Sequence, residues 1–97
     1  MWTIDVTRIE KWLDGRTKEQ KMAIARRLLL LQKLGQELGM PNVRSIGTGL
    51  FELREMLFGY RIYFYFDQNQ ERIVVVVGAG DKSTQTRDIK RAKESMK

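Results

Sequence analysis

The sequence contains neither cysteine nor histidine among its 97 residues, and it contains a single proline. Without cysteine and histidine the chain lacks thiol nucleophiles, thiolate metal sites, His-based triads and the usual zinc and iron ligand sets. Acid–base chemistry must then use Lys, Arg, Tyr, Asp or Glu, although histidine is the usual choice. We therefore expect no metal and no cofactor, and the absence of cysteine is consistent with a cytoplasmic protein.

Long hydrophobic runs are missing as well. The longest are Leu28–Leu31 and Ile73–Val77, far short of the roughly 20 apolar residues that a membrane helix needs. The first ten residues do not have the pattern of a secretory signal. We therefore predict a cytoplasmic location and no membrane partner.

Positive charge is the main excess in the composition. The formal net charge is +6, which favours polyanionic partners such as RNA, DNA or an acidic protein. Solubility alone would explain the same charge, and composition does not separate the two explanations. The length and ordinary apolar content predict one globular domain that spans residues 1–97.

Three consecutive antiparallel strands are predicted between Leu50 and Gly80, with the sequences FELREML, YRIYFYF and ERIVVVVG. Two-residue turns at Phe58-Gly59 and Gln68-Asn69 would connect them, because this is the commonest hairpin link. The turns pair Leu53 with Phe64 in the first hairpin, and Phe64 with Ile73 in the second.

This register sorts the side chains onto two faces, since side chains alternate along a strand. The predicted apolar face carries Phe51, Leu53, Ile62, Phe64, Phe66, Ile73 and Val75. The predicted polar face carries Glu52, Arg54, Arg61, Tyr63, Tyr65 and Arg72. We expect the polar face to be exposed and to carry the function.

The remaining elements are predicted on both sides of this unit. Residues 1–6 form a short strand, residues 42–46 a short strand or extended link, and a thin apolar stripe predicts a last helix over residues 85–96. Thr7 opens a helix that runs to about Asp14, and Thr17 opens a longer one that runs to about Leu38. The predicted fold is α+β, with an N-terminal helical hairpin packed on the apolar face of an antiparallel sheet and a C-terminal helix.

The segment from Gly78 to Thr84 is similar to a nucleotide-binding loop, because it is Gly-rich, contains Lys-Ser-Thr and precedes a helix. A P-loop needs glycine immediately before its lysine, and here Asp81 precedes Lys82. The sequence favours a turn followed by a capped helix.

The predicted polar face is a better candidate site. Arginine fits phosphate geometrically, and tyrosine rings can stack on unpaired bases. Lys82 follows the third strand and is expected beside the same face. The alternative is that arginine and tyrosine only decorate a solvated sheet.

Four segments resemble the addiction-module killer proteins, which are phage-derived, HigB-like members of the RelE/ParE toxin superfamily. These segments are Phe51–Arg54, Gly59–Phe64, Gly78–Gln85 and Asp88–Glu94. The resemblance implies two N-terminal helices on an antiparallel sheet. It also implies a toxin of a type II toxin–antitoxin pair, which would form a hetero-oligomer with a cognate antitoxin, a helix-turn-helix protein.

RelE-like relatives enter the ribosomal A site and cut mRNA by attack of the RNA 2′-hydroxyl on the phosphate, without a metal. The resemblance therefore implies the ribosome and mRNA as partners. The ParE branch inhibits DNA gyrase and cuts no RNA, so a non-enzymatic gyrase inhibitor is an alternative. A plain RNA-binding module is a third possibility.

The resemblance also implies roles for individual residues. Arg54 and Arg61 would bind and neutralise the phosphate, and Lys82 would act as general acid or as a second phosphate contact. The resemblance implies substrate binding by Tyr60 or Tyr63, which would stack a base or assist proton transfer, and by Asp81, which would orient Lys82. The predicted polar face adds Tyr65 and Arg72 as candidate binding residues. Several ribosome-dependent relatives have a histidine or tyrosine near the end of the chain, and here that stretch offers Lys82 instead.

Overall fold

A five-stranded sheet forms the centre of the molecule in the computed structural model, which describes residues 1–69 and 72–96. The strands are β1 (Thr3–Asp5), β2 (Val43–Ser45), β3 (Phe51–Glu55), β4 (Tyr60–Phe66) and β5 (Ile73–Asp81). The helices are α1 (Glu10–Asp14), α2 (Lys18–Leu34) and α3 (Gln85–Ser95). The strand order is β1-β5-β4-β3-β2, and the predicted α+β class is confirmed.

Two parts of the fold prediction are wrong. The sheet is mixed, because β1 pairs with β5 in parallel while the other neighbours are antiparallel. The N-terminal helical hairpin is also absent from the described chain, since β1 comes first and is followed by a 3-10 turn and by α1, which has only five residues. The long helix α2 therefore covers the sheet on this side together with the 3-10 turn and α1, whose residues Ile9, Trp12 and Leu13 also pack into the core.

A capping box fixes the start of α2. The Thr17 hydroxyl accepts from the backbone N–H of Gln20 at 3.2 Å, and the Gln20 side chain accepts from the Thr17 N–H at 2.8 Å. The helix ends at Leu34, about one turn before the predicted end, because Gly35 turns left-handed with φ of 52°. No helix in the described part of the chain is both long and apolar enough to cross a membrane.

The main core lies between α2 and the apolar face of the sheet. Its buried members include Ile24, Leu31, Leu53, Ile62, Phe64, Val74 and Val76. The helical spacing correctly predicted Ile24 and Leu31 as inward residues. It wrongly predicted Met22 and Leu34, which are 48% and 39% exposed.

The predicted register between β3 and β4 is wrong by two residues. Leu53 pairs with Ile62 rather than with Phe64, and a shift of two leaves every side chain on its predicted face. The connection is a four-residue loop, 56–59, instead of a two-residue turn. The Glu55 carboxylate stabilises this loop by accepting from the backbone N–H groups of Leu57 and Phe58, at 2.6 and 2.9 Å.

The predicted register between β4 and β5 is also wrong, and here the faces change. Phe64 pairs with Val76 instead of Ile73, and a bulge separates this pair from the pair of Tyr63 with Gly78. Val76 therefore lies in the core, whereas Ile73 and Val75 lie on the other face and not on the predicted apolar one. The predicted start of this strand at Glu71 lies outside the described residues.

The C-terminal helix α3 lies across the polar face of the sheet. Its residues Ile89, Ala92 and Met96 pack against Leu50, Tyr63 and Val77 in a second, smaller core. The prediction that this face is wholly exposed is therefore wrong, because α3 covers the part that contains Tyr63. The part on β2 and β3, with Arg44 and Arg54, remains partly exposed.

Candidate functional site

The uncovered part of the polar face is organised around Glu52, whose side chain is fully buried. Three arginines surround its carboxylate. Arg44 Nη2 lies 3.3 Å from Oε1, Arg54 Nε lies 3.8 Å from Oε1, and Arg61 Nε lies 3.9 Å from Oε2. We call Arg44, Arg54 and Arg61 the arginine cluster. A buried carboxylate requires such compensation, because an unpaired buried charge is very costly.

Strand pairing explains how the sequence assembles this cluster. Arg44 of β2 is the cross-strand partner of Glu52, and Arg54 of β3 is the cross-strand partner of Arg61 of β4. Two like charges opposite each other on a sheet repel, and the Glu52 carboxylate offsets this repulsion. The prediction that Arg54 and Arg61 share one face is confirmed.

The three arginines differ in how far they reach solvent. The side chains of Arg44 and Arg54 are 44% and 39% exposed, whereas that of Arg61 is 12% exposed. Arg61 also donates from Nη1 to the carbonyl of Gly59 at 3.2 Å. Arg44 and Arg54 can therefore contact a bound anion directly, and Arg61 forms the floor of the cluster.

The N-terminus of α3 closes one side of the cluster. Gln85 donates from Nε2 to Glu52 Oε2 at 2.8 Å. Nearby, the Thr84 hydroxyl donates to the buried carboxylate of Asp88. A side chain at position 80 would collide with Thr84 and Asp88, so Gly80 allows α3 to begin close to β5.

Tyr63 is the cross-strand partner of Glu52 and lies beneath α3, with no exposed surface. Burial raises the pKa of its phenol, and the negative charges of Glu52 and Asp88 raise it further. The phenol therefore keeps its proton at neutral pH. In this arrangement Tyr63 lies beside Glu52 under α3 and does not offer an open surface for a base.

Two other predicted binding residues lie away from the cluster. Tyr60 is on the opposite face of the sheet, where its ring packs edge-on against Trp12 at 5.2 Å and its hydroxyl accepts from Arg16 at 3.3 Å. Arg72 precedes β5 with a left-handed φ of 59°, and its guanidinium lies over the Trp2 ring at 5.9 Å. The expected convergence of Arg72 with Arg54 and Arg61 is therefore wrong.

The remaining predicted site residues lie on or just beyond β4 and β5. Tyr65 is on the polar face opposite Val75 and is partly exposed. Asp81 accepts from the hydroxyl and the backbone N–H of Ser83, at 2.6 and 2.8 Å, and these hydrogen bonds lower the pKa of its carboxyl. Asp81 thus caps the turn that contains the exposed Lys82, which follows Gly80, the cross-strand partner of Arg61, by two residues.

The sequence of this chain matches a known protein family. The family model described as "Phage derived protein Gp49-like (DUF891)" matches residues 11–97. The chain belongs to this Gp49-like family. The match includes α2, all strands after β1, the arginine cluster and α3.

Two curated relatives are similar to this chain. A Mycobacterium tuberculosis protein named "Putative toxin HigB2" is 31% identical over 84 residues, which are 79% of this chain and 42% of that protein. A Haemophilus influenzae protein described only as "Uncharacterized protein" is 45% identical over 53 residues, 54% of this chain and 52% of that protein. The chain spans about half the length of the curated relatives it matches. The predicted HigB-like resemblance is confirmed.

Sequence reasoning on this Gp49-like chain missed two members of the site. Arg44 falls in the segment 42–46, and the pattern of that segment does not show which strand it joins. Glu52 belongs to the predicted polar face but not to the predicted site. An acidic residue two positions before an arginine on the same face is nevertheless a signal for an ion pair. Within residues 1–69 and 72–96, no group of three acidic side chains could hold a metal ion.

Proposed function

We propose that this Gp49-like protein is the toxin of a type II toxin–antitoxin pair and that it cuts mRNA on the ribosome. The arginine cluster on the uncovered part of the sheet is the observation that carries the proposal. The family match and the name of the HigB2 relative support the toxin class. A cognate antitoxin, the ribosome and mRNA are the partners that this proposal requires.

The proposed reaction is attack of an RNA 2′-hydroxyl on the adjacent phosphate, with departure of the 5′-oxygen of the next nucleotide. Negative charge grows on the phosphate oxygens in the transition state, and fixed arginine N–H groups stabilise such charge. Arg44 and Arg54 have the exposure that direct contact requires, and Arg61 adds positive charge from below.

Proton transfer is the second requirement of this chemistry. Tyr63 is unsuited as a base, because its raised pKa keeps the phenol protonated. Lys82 is exposed at the end of β5, and we assign it the role of proton donor to the leaving oxygen or of a further phosphate contact. In the proposed site, Tyr65 is the partly exposed ring that could contact a base.

Replacing Arg54 or Arg61 by alanine tests the proposed role of the cluster. We expect Arg54→Ala to slow cleavage of a reporter mRNA in a reconstituted translation reaction by roughly 100-fold, the usual loss when one transition-state donor is removed. We expect Arg61→Ala to slow cleavage by a smaller factor, because it removes positive charge from the floor of the cluster. Lys21→Ala is the matched control. It removes one positive charge at an exposed position of α2, on the other side of the sheet. It should leave cleavage unchanged.

Three results would count against the proposal. Both arginine variants could cleave as fast as the wild type, which would remove the arginine cluster from the reaction. The wild type could leave mRNA intact while it arrests DNA supercoiling by gyrase, which would favour the non-enzymatic alternative. It could also bind RNA in a salt-dependent manner without cleaving it, as a plain binding module would.

A further inference from the structure

We propose that Glu52 is a positioning residue, which sets the spacing and orientation of the arginine cluster for a phosphate group without touching the substrate itself. This inference rests on the proposed function, because it concerns the same site. It adds a role for a buried carboxylate that the implied set of catalytic and binding residues does not include.

Four structural elements converge on one side chain, that of Glu52. The carboxylate of Glu52 contacts Arg44 from β2, Arg54 from its own strand, Arg61 from β4 and Gln85 from α3. The three arginines form no ion pair with any other carboxylate in the described part of the chain. Glu52 is therefore the common reference point for their positions.

Two of the arginines meet this carboxylate through the same edge of the guanidinium group. Arg54 and Arg61 approach it through Nε, at 3.8 and 3.9 Å. A guanidinium carries five N–H groups in one plane, so Arg54, which faces Glu52 through its Nε edge, still has terminal N–H groups for a phosphate. Arg61 uses one of its terminal N–H groups on the carbonyl of Gly59 and stays below the site. Burial of Glu52 itself, with 0% of its side chain exposed, keeps the carboxylate away from the substrate.

The balance of charge between Glu52 and the arginine cluster also supports a positioning role. One carboxylate among three guanidinium groups leaves the cluster positive, so it still attracts phosphate. Removing the negative charge would make the cluster more positive and would also remove the group that fixes its geometry. Binding of RNA and rate of cleavage should then change in different directions, which general damage to the fold would not produce.

Glu52→Gln separates these two effects. We expect it to bind a short single-stranded RNA at least as tightly as the wild type by fluorescence anisotropy. We also expect its single-turnover cleavage on programmed ribosomes to be at least about 10-fold slower, because misplacement of a transition-state donor is costly. Glu19→Gln removes the same charge from exposed α2 and should change neither quantity.

Glu52→Asp guards against a glutamine variant that fails to fold. It keeps the charge but shortens the side chain by one methylene, so the carboxylate no longer reaches the arginines equally. We expect wild-type affinity for RNA together with slowed cleavage. If either folded variant cleaves at the wild-type rate, or if binding and cleavage weaken by the same factor, the positioning role is overturned.

A separate readout distinguishes failure of this inference from failure of the proposed function. If the wild type does not cleave mRNA, the proposed function fails. Hydrogen exchange at the Arg61 Nε–H, which is buried beside Glu52 without a hydrogen-bond partner, then tests positioning alone. NMR should show this proton protected in the wild type and in Glu19→Gln, and exchanging faster in the position-52 variants. Equal protection in all of these proteins would show that Glu52 does not hold Arg61.

Discussion

Tyr63 illustrates how much the environment of a single residue decides in this protein. It belongs to the polar face by alternation, yet α3 buries it completely. Its phenol then lies near two carboxylates, those of Glu52 and Asp88, in a place that water does not reach. Burial and these charges raise its pKa above the ordinary value of about 10, so its phenol stays protonated at neutral pH.

This raised pKa predicts a loss of stability in alkali. The folded state keeps the Tyr63 proton after the unfolded state has released it, so the free energy of unfolding falls as pH rises above about 10. The contribution is fully present below that pH. We expect Tyr63→Phe to lose less stability than the wild type between neutral and alkaline pH, as measured by urea unfolding at both.

Every other ionisable group is present in both proteins, and so the difference between the two curves isolates Tyr63. Parallel loss of stability in wild type and variant would show that the Tyr63 phenol ionises normally in the folded protein. The result would also bear on its exclusion as a base.

At the scale of elements, the junction of β5 with α3 depends on a glycine. Gly80→Ala would place a methyl group against the side chains of Thr84 and Asp88. We expect it to lower the free energy of unfolding by about 1–3 kcal/mol, as overpacking usually does. Gly39→Ala is the matched control, because open space surrounds that position. Urea unfolding of the two variants measures the difference.

A second measurement shows whether the cost arises at this junction. Displacement of α3 should expose Tyr63 and quicken hydrogen exchange in α3 more than in α2. If Gly80→Ala is as stable as Gly39→Ala, the close packing between the start of α3 and β5 is not a constraint on the fold.

The elements also show where sequence patterns suffice. β3 and β4 each have one apolar and one polar side, so their alternation predicts the faces, including the shared face of Arg54 and Arg61. β5 has buried residues on both sides, and its run of valines gives no alternation from which a bulge could be predicted. The position of Arg44 depends on tertiary pairing with β3, and the covering of Tyr63 depends on the docking of α3.

At the scale of the whole molecule, the excess of positive charge predicts salt-dependent binding to RNA. Single-stranded RNA releases counterions with a slope of log affinity against log salt of roughly −0.7 per phosphate contact. Two direct contacts, through Arg44 and Arg54, would give about −1.4. We expect Arg54→Ala to make this slope shallower by about 0.7 in anisotropy titrations.

The same titration also tests whether a local site or the net charge of the molecule determines the affinity for RNA. Lys21→Ala removes an equal charge from the helical side of the sheet and should leave the slope as it is. Equal changes in the two variants would mean that net charge, rather than the arginine cluster, determines the affinity for RNA.

The parallel pairing of β1 with β5 has a consequence for synthesis of the protein. Thr3 is the parallel cross-strand partner of Ile73, and its N–H donates to the carbonyl of Arg72, so β1 cannot find its neighbour until β5 has been synthesised. Contacts between such distant parts of a chain form slowly, because a long loop must close first. The hydrogen bond from Gln85 to Glu52 likewise cannot form before the start of α3 has been synthesised. The arginine cluster of a nascent chain therefore acquires its final form only after the start of α3 has been synthesised.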